Sequence, residues 1–221
     1  QRQATQDLAH FCIERPPYGT LLDFGSIFTG CSSKQVWIEV GFGLGDNLLR
    51  LAAVKQNVNF LGAEVHSAGI GTLLQKMQTS IEKGVYYKDY DLYEEKDDTA
   101  DQQPAVESSC NESETAFAAL YDNLRIFLGD ITKWIHYIPD ASIEVVLVTF
   151  PDPFEGGLQW RLLQIHVIRD FARILSGCLY LATDHQGYFE WVIRNIELYN
   201  KQCSDRRIYE RVDPTPNRRT W

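Results

Sequence analysis

The stretch WIEVGFGLGDNLL, residues 37–49, decides the architecture of this chain. An apolar run at 36–40 (VWIEV) has the composition of a buried strand. Three glycines follow at alternate positions, Gly41, Gly43 and Gly45, and then a helical pattern over 46–56. A strand, a glycine turn and a helix form the opening unit of an open α/β sheet, whose ligand sits beyond the carboxyl ends of the strands. Glycines there permit a tight turn and let a ligand approach the backbone, because no Cβ intervenes. A dinucleotide fingerprint would need a glycine at position 46, where Asp46 stands. A P-loop would need a Lys-Ser/Thr pair after the glycines, which is absent. An acid, Glu39, precedes the turn. Pyrophosphate at a helix N-terminus wants positive surroundings, so Glu39 and Asp46 suit a ligand with cationic groups instead.

Outward from that turn, short apolar runs alternate with amphipathic segments. Strands are expected at 59–65, 124–128, 143–150 and 178–183. Helices are expected at 67–83, near 131–137, at 158–175 and at 187–200, and residues 206–212 read as the start of a final strand. Five βα units with near-continuous apolar strands imply an α/β fold, a mostly parallel sheet with helices on both faces. With 221 residues and 44% apolar content, the chain has one core's worth of material, so a single domain is expected. No apolar run is long enough to span a membrane, and the first thirty residues lack a signal-peptide pattern. The five cysteines are odd in number and widely spaced, which predicts reduced thiols and no metal site.

The net charge of −9 is unevenly distributed. Residues 85–120 alone carry −8 and the remainder −1, while residues 201–221 carry +3. An acidic, apolar-poor segment reads as a mobile insertion at about 85–120, outside the core. The global charge therefore does not describe the working surface.

S-adenosylmethionine has a sulfonium and an ammonium group and no phosphate, and E-x-G-x-G-x-G resembles the first motif of the class I methyltransferases that use it; a structural glycine turn or another nucleotide are the alternatives. Glu64 ends the second strand, where an acid can accept both hydroxyls of a ribose. Asp130 follows the third strand and reads equally as an adenine contact or as the N-cap of 131–137. In TFPDPF (149–154), Pro151 and Pro153 restrict the backbone on both sides of Asp152. A carboxylate held there, beside the cofactor crevice, reads as a substrate-binding group.

The segments IEVGFGLG, FLGAEVHSAGIG, FPDPF and LATD, in this order and with LLDFGSIF at 21–28, resemble the tRNA (guanine-N7)-methyltransferases. The resemblance covers roughly residues 16 to 200, and Trp160-Arg161 is similar to the eukaryotic branch. It implies a Rossmann-like class I methyltransferase fold and methyl transfer to N7 of a tRNA guanine, guanosine 46 of the variable loop. S-adenosylmethionine would be held by Glu39, Gly41, Gly43, Gly45, Glu64, His66, Asp130, Ile131 and Thr149. Asp152 matches the catalytic aspartate, with Asp152, Arg161 and Asp184 on the substrate. The resemblance also implies a β-propeller (WD-repeat) partner and a location in the nucleus or cytoplasm.

Three features depart from the pattern. The family follows its PDP turn with a Lys/Arg-rich stretch, whereas FEGGLQWR here has only Arg161. The turn at 175–178 (LSGC) is short. The last strands of a seven-stranded sheet and the late Thr-x-aromatic-Glu motif are not visible. Two other readings therefore compete: a class I methyltransferase acting on another substrate, and a catalytically silent methyltransferase fold serving as a binding subunit. Among the aromatics, Tyr18, Trp134 and Trp160 are candidates for stacking on a base.

Overall fold

The computed structural model describes residues 8–29, 35–87, 120–203 and 208–210. Most of the acidic segment expected as an insertion lies outside the described residues. So does most of the expected final strand, whose residues 208–210 have no regular structure. Five strands, β1 (Gln35–Val40), β2 (Val58–Glu64), β3 (Leu124–Leu128), β4 (Ile143–Thr149) and β5 (Leu175–Ala182), pair in parallel in the order β3-β2-β1-β4-β5. The helices are α1 (Phe24–Ile27), α2 (Asp46–Val54), α3 (Ser67–Lys83), α4 (Ile131–Trp134), α5 (Ile165–Ile174) and α6 (Gln186–Gln202).

Successive strand residues point to opposite faces of the sheet, so strands buried on both sides feed two cores. One holds Ile38, Leu61, Val146 and Val148 with Ile168, Phe171 and Tyr188 from α5 and α6. The other holds Phe60, Ile126, Val145 and Leu147 with Leu48 and Leu49 from α2 and Leu73 and Met77 from α3. This two-sided cover is why β2 (VNFLGAE) is buried at every position, and it bears out the doubly covered parallel sheet expected from the apolar runs.

Two boundaries differ from the sequence expectation. The helix expected at 158–175 begins only at Ile165, after a 3-10 turn at Leu158–Trp160 and an extended Gln164. The strand expected at 178 begins at Leu175, directly where α5 ends. There β4 and β5 slip register between Ile143 and Val145, and a Cβ on Gly177 would lie 2.3 Å from the Glu144 carbonyl oxygen. The absence of a side chain at 177 lets the strands approach through this bulge.

The N-terminal segment runs along the outer edge of β3. Ile13 N–H donates to the Ile126 carbonyl at 2.8 Å, and Leu22 N–H to the Tyr137 carbonyl at 2.7 Å. The Arg125 guanidinium lies over Phe11 at 5.8 Å and Phe28 at 5.4 Å, pinning the segment from both sides.

Candidate active site

Strand order reverses between β1 and β4, and there Thr149 Oγ1 at the end of β4 reaches Glu39 Oε1 of β1 at 3.3 Å. The turn after β1 has Gly41, Gly43 and Gly45 at φ of 73°, 58° and 81°, left-handed values that glycine adopts freely. Gly41 N–H donates to the Ala63 carbonyl at 2.8 Å, tying the turn to β2. Apart from their chain neighbours, nothing lies within 4 Å of where a Cβ would stand on Gly41 or Gly43, so a ligand can approach the turn from that side. Gly45 is closed: a Cβ there would meet Leu73 Cδ1 at 2.2 Å. Gly69, inside the motif SAGIG, brings α3 against the turn, since its Cβ would lie 2.4 Å from the Gly43 carbonyl oxygen.

Glu39 sits beneath this turn and is 1% exposed. Its Oε1 accepts from Asn47 Nδ2 at 3.0 Å and Thr149 Oγ1 at 3.3 Å. Its Oε2 is buried without a hydrogen-bond partner. Burial pushes the carboxyl above its ordinary value, and the two donors only partly oppose this. A buried carboxylate oxygen with no donor is costly, and a cationic ligand entering over the open glycines would satisfy it. Asn47 carries no signal in the sequence beyond its place in the first turn of α2.

Glu64 ends β2 with both oxygens engaged by backbone donors. Oε2 accepts from Gly43 N–H at 2.8 Å, and Oε1 accepts from Val65 and His66 N–H at 2.8 and 2.9 Å. The carboxylate thus braces the glycine turn, and hydroxyls would reach only its remaining lone pairs. His66 is exposed at the N-cap of α3. Asp130 is the N-cap of α4, Oδ1 accepting from Thr132 N–H at 2.9 Å. Ile131 is buried in the core, so it has backbone and little side chain to offer a ligand. Asp46 has a different place from the one read in the sequence: it pairs with Lys76 Nζ, which also donates to the Leu44 carbonyl at 3.1 Å.

Asp152 and Asp184 are both exposed in the turns after neighbouring strands. β4 pairs Thr149 with Ala182, and Phe150 N–H donates to the Ala182 carbonyl at 2.8 Å, which brings the two turns side by side. Phe150 and Phe154, flanking PDP, have φ of 48° and 37°. Bulky residues rarely hold such angles, and backbone strain of this kind concentrates at functional turns.

Arg161, expected on the substrate, is instead 7% exposed, with Nε donating to the Pro153 carbonyl. Its guanidinium lies over Tyr188 at 5.5 Å and Trp191 at 5.1 Å. The cation is thus used to hold the PDP turn against α6 and is not free for a phosphate. A second tie runs from His185 Nε2 to Glu155 Oε1 at 3.0 Å, while His185 Nδ1 accepts from Tyr188 N–H. Of the three stacking candidates, Trp134 is buried and stacked on Phe127 at 4.3 Å, whereas Tyr18 and Trp160 are exposed. Arg169 and Arg173 are paired with Asp170 and Asp140. Among the described residues no group of His, Cys, Asp or Glu is placed to hold a metal ion, and no helix is long and apolar enough to cross a membrane.

A family model described as "Putative methyltransferase" matches residues 33–218. The tRNA (guanine-N(7)-)-methyltransferase of Rhodospirillum rubrum is 27% identical, over 73% of this chain and 50% of that protein. The enzyme of the same name from Alkalilimnicola ehrlichii is 30% identical, over 85% and 64%, and that from Halorhodospira halophila 27%, over 98% and 79%. The chain therefore spans only part of the length of these curated relatives, half of the Rhodospirillum rubrum protein and 64% of that from Alkalilimnicola ehrlichii.

Proposed function

The chain belongs to this methyltransferase family, and we propose that it transfers a methyl group from S-adenosylmethionine to N7 of a guanine in tRNA, guanosine 46 as the resemblance implies. The similarity to the tRNA (guanine-N(7)-)-methyltransferases supports the acceptor, and the structural observation that carries the cofactor is the buried, partnerless Oε2 of Glu39 beside the glycine turn. An ammonium group satisfies that oxygen, and a phosphate would be repelled by it. The donor set therefore fits an amino-acid-bearing nucleoside.

When bound, S-adenosylmethionine supplies an electrophilic methyl group on a sulfonium. Glu39, steadied by Asn47 and Thr149, would take the ammonium. Glu64 would face the ribose hydroxyls, with Asp130 and the backbone of Ile131 at the adenine. Guanine N7 attacks with an in-plane lone pair and has no proton to lose, so the protein's task is alignment. Asp152, beside Asp184, would accept hydrogen bonds from guanine N1–H and the exocyclic amino group. Its charge also favours the cation that forms as N7 bonds to carbon and the C–S bond breaks toward sulfur. Adenine, an acceptor at N1, would be rejected by the same carboxylate. Trp160, exposed near this turn, offers a surface for a base that has left its stack.

Phosphate contacts supply much of the affinity for RNA. Arg161 is buried, and the Lys/Arg-rich stretch after PDP is missing. This favours a second subunit that contributes RNA affinity, the β-propeller partner implied by the resemblance, with a nuclear or cytoplasmic location following from it. It is also the observation that keeps a different methyl acceptor as the second reading.

The test is transfer of labelled methyl from S-adenosylmethionine to unmodified tRNA, with wild type and Asp152→Asn, after calorimetry has measured cofactor binding. Label in 7-methylguanosine, reduced about a hundredfold or more in the variant, supports the reading. Label in another nucleoside or in protein would establish the second reading. No heat with S-adenosylmethionine would overturn the assignment of the glycine turn.

A further inference from the structure

Between the N-terminal segment and the carboxyl end of β3 lies a cavity of about 490 Å³, within the roughly 300–1,000 Å³ range of small-molecule sites. One wall carries a residue of the site already described, Asp130 after β3, together with Ile70 of α3. The opposite wall is residues 12–15, none of which the sequence motifs point to. That wall is pinned, because Cys12 bridges to Ile126 as a further parallel neighbour of β3 and Ile13 N–H donates to the Ile126 carbonyl.

The chemistry of the lining selects among ligands. Ile13, Ile70 and Trp134 supply apolar surface. Glu14 and Asp130 are matched by Arg15 and Lys133, so the formal charges cancel. A phosphate would find no net positive field there, whereas an uncharged, planar, hydrogen-bonding ring would find both donors and acceptors. Asp130 Oδ1 is held by Thr132 N–H, which leaves Oδ2 to accept from an exocyclic amino group.

We propose that residues 12–15 form the outer wall of the adenine end of the cofactor site, so that the N-terminal segment is part of cofactor recognition. The proposal rests on the reading that an S-adenosyl compound occupies the glycine turn. It makes the thiol of Cys12, at the cavity, a reporter of occupancy. Cys178, exposed on β5 at the opposite edge of the sheet, is an internal control.

The experiment is alkylation of the full chain by iodoacetamide, with the rate at each cysteine followed by mass spectrometry. It is run without ligand and with S-adenosylhomocysteine, 5′-methylthioadenosine or methionine. Both adenine-bearing ligands should slow Cys12 about fivefold or more and leave Cys178 unchanged, and methionine should slow neither cysteine. If calorimetry shows S-adenosylhomocysteine binding and Cys12 still reacts at its free rate, the wall is elsewhere and the proposal fails while the cofactor reading stands. Equal slowing of Cys12 and Cys178 would also overturn it, since that reports general stiffening. Absence of binding heat removes both readings. As a second variant, Ile13→Arg, which fills the cavity, should weaken S-adenosylhomocysteine binding about tenfold or more. Unchanged affinity in a folded Ile13→Arg chain would count against the wall.

Discussion

Glu39 shows at the scale of one residue how function opposes stability. Burial holds its carboxyl above the ordinary value, so the folded chain binds that proton more tightly than the unfolded chain does. Stability therefore falls as pH rises from the ordinary carboxylate range through the raised folded value. Below that range the cost is absent, and above the raised folded value it is fully present. Glu39→Gln should thus stabilise the ligand-free protein at pH 7 by about 1 kcal/mol, about 2–4 °C in melting temperature, with the gain vanishing near pH 4. The same change should weaken S-adenosylmethionine binding about tenfold in calorimetry. A variant that is less stable at pH 7 would contradict the account. Arg161 gives the complementary case. Arg161→Ala should cost about 3 kcal/mol in denaturant unfolding and lower kcat while leaving cofactor affinity unchanged, because it releases the Pro153 carbonyl next to Asp152. Arg161→Lys, with a cation but no fork, should recover only part of kcat. Glu39 was legible because its spacing from the glycines is local. The place of Arg161 was not, since its partners Tyr188 and Trp191 lie on a helix that only the fold brings near.

At the scale of elements, the meeting of α3 with the glycine turn decides whether the site exists. Gly69 and Gly71 stand two residues apart in one helix and have opposite roles. A Cβ at 69 would press on the Gly43 backbone at 2.4 Å, whereas a Cβ at 71 would meet nothing within 4 Å. Gly69→Ala should push α3 away from the turn, costing about 1–3 kcal/mol in stability and weakening cofactor binding. Gly71→Ala should stabilise the helix by about 0.5–1 kcal/mol without changing affinity. Thermal melts and calorimetry on the pair separate the two effects, and equal behaviour would refute the packing argument. The strands and this helix were legible because apolar periodicity is a local property. The start of β5 was not: SGC reads as a turn, and it is the approach of the Glu144 carbonyl to Gly177 that makes it a bulged strand. The late start of α5 has a similar origin, since the chain first turns through Leu158–Trp160 under ties from Gln164 Nε2 to the Leu158 and Arg161 carbonyls.

For the molecule as a whole, the site belongs to no single segment. Glu39 comes from β1, Glu64 from β2, Asp130 follows β3, Thr149 ends β4 with Asp152 in the turn after it, and Asp184 follows β5. Strand order, which periodicity cannot supply, sets these six distant positions in or just beyond the carboxyl-end halves of neighbouring strands of one sheet. The formal charge was a poor guide at this scale, because most of it resides in a segment that contributes no described residue to the site. A ligand that joins the ends of the strands stabilises the whole sheet, because local opening at any of them must first release it. S-adenosylhomocysteine at a hundredfold excess over its dissociation constant should therefore add about 2.7 kcal/mol. For a domain of this size that raises the melting temperature by about 5–10 °C. Hydrogen exchange should slow at β1 and β2 together, and not only in the glycine turn. If protection appears only in the turn and the melting temperature stays put despite measured binding, the ligand engages a local site and does not join the ends of the strands.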